Sequence, residues 1–76
     1  MTYTYRNTET KVEGLTAREL VNLLRENHKG YFLKNGCDVW AVANPWAAVE
    51  DNKFLDVCSS SHQRISNPVA TIRREG

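Results

Sequence analysis

The chain is expected to fold as a small α+β protein. The predicted architecture is an antiparallel sheet of four to five strands with one helix, over about residues 16–28, packed on one face, in the order β-α-β-β-β-β. Three observations point to it. One segment carries helical periodicity between two caps, a second joins two β-prone runs at Asn35-Gly36, and the remaining runs alternate with period two.

The helix is signalled at both ends. Thr16 with Glu19 three residues on forms a capping box, and Leu15 and Leu20 take the two positions of a hydrophobic staple. Ala17, Leu20, Val21 and Leu24 share one face by their spacing, with Arg18, Asn22, Arg25 and Glu26 mostly on the other. His28 and Lys29 suit the negative end of the helix dipole, and Gly30 suits a stop.

The hairpin is read from "YFLKNGCDVWAVA", with Asn35-Gly36 as its two-residue turn. That turn sets Lys34 against Cys37, Leu33 against Asp38, Phe32 against Val39 and Tyr31 against Trp40. One face then gathers Phe32, Cys37, Val39, Ala41 and Ala43, and the other Tyr31, Leu33, Trp40 and Val42. The small residues of the first set suit close approach of the helix. The second set needs another cover: the segment after Pro45, a second copy, or a foreign partner.

Outside these elements, Asn44-Pro45 predicts a cap before one or two helical turns in "PWAAVED". "KFLDVCS" alternates Phe54, Asp56 and Cys58 against Leu55 and Val57, as a strand does. Residues 59–67 form a polar loop, "VATIRR" after Pro68 is a last short strand, and "TYTYRNTETKV" at the front is an edge strand.

Seventy-six residues make one domain, 1–76, that buries only about 60% of its unfolded surface. The apolar share of 41% and charged share of 25% are those of a globular protein, and a net charge of +1 argues against a dedicated nucleic-acid binder. No run suits a signal peptide or a membrane span, so residence in the cytoplasm is expected. Cys37 and Cys58 are too few for a disulfide framework and are expected to be reduced and buried.

The constellations that carry chemistry are thin. Zinc sites bring ligands in close pairs, whereas His28 and Cys37 are far apart and Cys58 with His62 mixes ligand types in a strand end and a loop. A Cys–His nucleophile needs a geometry and a sheltered pocket that so small a domain has little depth to supply. Glu50 and Asp51 are adjacent and diverge, Ser59, Ser60 and Ser61 lack a nucleophile elbow, and no glycine-rich phosphate loop exists. The expectation is a non-enzyme without metal or cofactor.

Binding remains. Arg64, Arg73 and Arg74, with Tyr3 and Tyr5, offer an alternative reading as a small single-stranded nucleic-acid binder or transcription regulator, because bases stack on exposed aromatics while phosphates pair with arginine. A Cys/His metal or thiol protein is a second alternative. The leading expectation is protein contact through Trp46, Trp40 and Tyr31, rimmed by Glu50, Asp51 and Asp56, which would favour a partner with a basic surface. A homodimer competes for the same apolar face. Size and character suggest a phage- or mobile-element-type inhibitor or adaptor that blocks a host nucleic-acid-handling or defence complex, such as a CRISPR or restriction effector.

Overall fold

The computed structural model describes residues 1–51, 53–59 and 68–75, with the backbone alone at Asp51. In chain order the elements are β1 (Thr2–Asn7), β2 (Lys11–Leu15), α1 (Ala17–Asn27), β3 (Phe32–Asn35), β4 (Asp38–Ala41), α2 (Trp46–Asp51), β5 (Phe54–Cys58) and β6 (Ala70–Glu75). The strands form one antiparallel sheet in the order β2-β1-β6-β5-β3-β4. The class is α+β as expected, with six strands in place of four or five and two helices in place of one.

The additional strand comes from the front segment, which is a hairpin and not one edge strand. Asn7 breaks it. Its side-chain Oδ1 accepts from the backbone N–H groups of Glu9 (2.8 Å) and Thr10 (2.7 Å), while its own N–H donates to the Thr10 carbonyl. An Asn that binds its own downstream backbone makes a turn without glycine or proline. β1 therefore lies inside the sheet, between β2 and β6. Further along, Glu13 and Gly14 together oppose one β1 residue, a bulge that Gly14 accommodates at φ 71°.

Helix α1 matches its prediction. The Thr16 hydroxyl accepts from Glu19 N–H, the Glu19 carboxylate accepts from Thr16 N–H at 3.0 Å, and Leu20, Val21 and Leu24 are buried. Those hydrogen bonds hold the Glu19 pKa below its usual value, backbone bond first. α2, foreseen as one or two turns, starts where the Pro45 carbonyl accepts from Val49 N–H at 2.9 Å.

Two details of the β3–β4 hairpin differ from expectation. The pairs are Phe32–Ala41, Leu33–Trp40, Lys34–Val39 and Asn35–Asp38, so the turn residues are Gly36 and Cys37. Gly36 takes φ 59° and Cys37 has no positive φ, so one glycine suffices where a type I′ turn would need both central residues there. The slip advances each pairing by two, so the two face sets survive intact.

The second difference concerns which face is covered. Both helices lie over the Leu33 side. Leu20, Val21, Leu24, Ala48 and Val49 join Tyr3, Tyr5, Leu33, Val42, Leu55, Val57, Ala70 and Ile72 in one buried cluster. Phe32, Val39 and Ala41 face the other way, contrary to the expected approach of the helix to that side. The neighbouring strands decide this. The Phe32 face continues across the sheet as Lys34, Asp56, Thr71 and Arg6, and desolvating three charges under a helix costs more than the small side chains could return.

Candidate binding face

The side of the sheet away from the helices is exposed over most of its described residues, with Cys58 buried at one end, and its order follows from the strand register. One row crosses all six strands: Lys11, Arg6, Thr71, Asp56, Lys34 and Val39. A parallel row runs Thr4, Arg73, Phe54, and another pairs Cys58, Phe32 and Ala41. The β2–β1–β6 half is polar, and the β5–β3–β4 half carries the apolar groups.

Phe54 dominates it. Among the described residues it is, after Met1, the most exposed large apolar side chain, at 58%. The Arg73 guanidinium carbon sits 5.5 Å from its ring centroid, in reach of a cation–π attraction. Arg73 Nε also meets Glu75 Oε1 at 3.5 Å, and Lys11 Nζ meets Glu13 Oε1 at 3.1 Å. Exposed pairs of this kind are worth under about 1 kcal/mol, so both cations can be redirected to a partner. A shallow cavity of about 340 Å³ runs over Thr4, Arg6, Phe54, Asp56, Thr71 and Arg73. The cations Arg6, Lys11, Lys34 and Arg73 are nearly balanced by Glu13, Asp56 and Glu75, which favours a ligand carrying both signs over a polyanion.

The residues singled out from the sequence are divided by the sheet. Trp46, Trp40 and Tyr31 pack against the core from the helix side and are partly buried. Glu50 is exposed on α2, and its backbone carbonyl accepts from the Arg74 guanidinium. Asp56 is on the open face, so one basic surface does not reach both Glu50 and Asp56. The side chain of Asp51 lies outside the described part.

The nucleic-acid cluster divides likewise. Arg73 is on the open face and Arg74 alternates to the helix side, while Tyr3 and Tyr5 are core residues 3% and 4% exposed, with no ring left for a base. Arg64, His62 and the rest of the polar loop after Ser59 lie outside the described residues.

His28, Cys37 and Cys58 are likewise apart in role. Cys37 is exposed in the turn, in contrast to the expected burial, whereas Cys58 is buried. Burial pushes the Cys58 thiol pKa up, and the Asp56 carboxylate adds to this against a smaller opposing effect of Lys34. Among the described residues, no three His, Cys, Asp or Glu side chains converge as a metal site would need. No described helix is long and apolar enough to cross a membrane.

His28 caps α1 and is 8% exposed. Its Nε2 lies 2.7 Å from the Tyr5 hydroxyl, which accepts from Asn7 Nδ2 at 3.1 Å, and Tyr31 packs edge-on at 5.2 Å. With one lone pair taken by Asn7, the hydroxyl still has its single proton to offer to Nε2 of a neutral imidazole. Burial lowers the His28 pKa from 6.5. The unfolded chain therefore binds the proton more readily, and the contribution is fully present above about pH 6.5 and is lost as pH falls through the lowered folded value. Urea midpoints taken near pH 7.5 and near pH 5.5 should show wild type losing more stability on acidification than His28→Gln. Equal losses would refute the assignment.

Comparison with known proteins yields no matching family model, curated sequence or solved structure.

The open face is not legible in the sequence. Phe54, Arg6, Lys34 and Thr71 were each visible in alternating runs, but only the strand order joins them. The one signal available was the alternation of Phe54 and Asp56 against Leu55 and Val57, which sets an aromatic on the same side as a charge.

Proposed function

We propose that the protein is a non-enzymatic binding module that docks another protein on the uncovered sheet face, with Phe54 as the anchor. The exposure of Phe54 beneath Arg73 carries this reading. A large exposed aromatic beside an arginine whose own ion pair is weak has the make-up of an interface hot spot. The near balance of charge on the face supports a protein partner with both signs at matched spacing. An inhibitor or adaptor role at a nucleic-acid-handling or defence complex belongs to this proposal, because blocking or bridging such a complex needs a docking face and no catalysis.

A photo-reactive benzophenone side chain placed at Thr71, and separately at Arg18 on the outer side of α1, tests it in cells of the source organism. The expected result is a discrete protein adduct from position 71 only, resistant to nuclease and lost when Phe54→Ala is added. Nuclease-sensitive adducts would favour the nucleic-acid alternative, and equal adducts from both positions would remove the face as the site.

A further inference from the structure

The two edges of the sheet are treated differently. β2 carries Lys11 and Glu13, both exposed, and a glycine bulge, which are devices that discourage a further strand. β4, "DVWA", has neither lysine, proline nor bulge, and Asp38 is its single charge.

The backbone of β4 shows what that edge offers. Val42 N–H donates to the Tyr31 carbonyl at 3.2 Å. Hydrogen-bonded positions in an antiparallel ladder recur every second residue, so Trp40 and Asp38 also turn toward β3. Val39 and Ala41 therefore turn their backbone groups outward. The Ala41 carbonyl accepts from Asn44 N–H at 3.2 Å. Among the described residues, the Val39 N–H and carbonyl and the Ala41 N–H have no partner.

From this we infer that β4 pairs with β4 of a second copy, antiparallel about a two-fold axis through Trp40. Val39 of each chain then faces Ala41 of the other: each Ala41 N–H donates to the partner copy's Val39 carbonyl, and each Val39 N–H meets the second lone pair of an Ala41 carbonyl whose first is held by Asn44. Such a contact is self-complementary and closes at two chains. Side chains favour this occupant over an unrelated strand. Val39, 38% exposed, and Ala41 are the open-face residues of β4, beside half-buried Phe32, so joining the edges merges two apolar half-faces into one. On the opposite side, Trp40 is partly buried at the margin of the core, and the axis brings the two indoles together. The two sheets become one, with the polar halves and guarded β2 edges outermost. The inference does not depend on what the open face binds.

Sedimentation across a dilution series from millimolar to micromolar protein tests it. Wild type should show twice the chain mass at the upper end and dissociate on dilution. Val39→Pro removes an outward N–H that β3 does not use, so it should sediment as a monomer with unchanged circular dichroism. Val39→Lys leaves every backbone group in place and should weaken association at least tenfold through charge at the seam. Phe54→Ala should dimerise as wild type. Monomeric wild type throughout, or an undiminished dimer in Val39→Lys, would overturn the pairing, as would a dimer lost in Phe54→Ala.

Discussion

Leu33→Ala is expected to destabilise the protein by about 3 kcal/mol, within the range of buried leucine truncations. Leu33 is fully buried, on a strand flanked by β4 and β5, inside the cluster that Leu20, Leu24 and Val49 close from above. Removing its branched end leaves a void that surrounding strands, tied by hydrogen bonds on both sides, are poorly placed to fill. A chain of this length has a total stability of about 4–11 kcal/mol, so the loss is a large fraction of the whole. Phe54→Ala, a larger truncation, should cost under about 1 kcal/mol of folding stability because most of that ring is already in water. Urea midpoints of the two variants settle which side of the sheet is covered. A costly Phe54→Ala beside a tolerated Leu33→Ala would place the core on the wrong side.

The second large effect concerns binding. Against the protein captured from position 71, Phe54→Ala should raise Kd about 30-fold or more, which corresponds to about 2 kcal/mol. The ring is the largest exposed apolar group of the face, and Arg73 packs over it. Arg73→Ala should weaken binding by less, since part of its attraction is already spent on Glu75. Isothermal titration calorimetry at constant salt measures both. An unchanged Kd for Phe54→Ala would discard the anchor, and the small folding cost of the same variant keeps the comparison clean.

Local signals in the chain were reliable guides to local structure. The Thr16–Glu19 capping box, the apolar stripe of α1 and the alternation in β5 are all decided by residues within a few positions of one another, and each is found as read. The departures have two causes, one local and one not. Asn7 makes a turn by side-chain hydrogen bonding, a role that an Asn among threonines does not announce, and so one strand became two. The hairpin alone offers two apolar sides and does not tell which one is covered. Only contact with β5, and through it β6 and β1, shows that one side continues into charge. Type and neighbours leave Trp40 and Trp46 open to a core role and to an anchor role, and the fold places both partly buried at the rim of the core. Phe54, nineteen positions from Arg73 in the chain and paired with it in the sheet, is not visible as a site without the register.

Hydroxyl-radical footprinting of Phe54, in the purified protein and again inside cells of the source organism, probes the open face most directly. Rapid oxidation of the purified protein is expected, with Leu33 and Leu24 inert in both settings and Phe54 strongly protected in cells. A slow reaction in the purified protein would mean that the face is already covered, and equally fast oxidation in both settings would mean that nothing docks there.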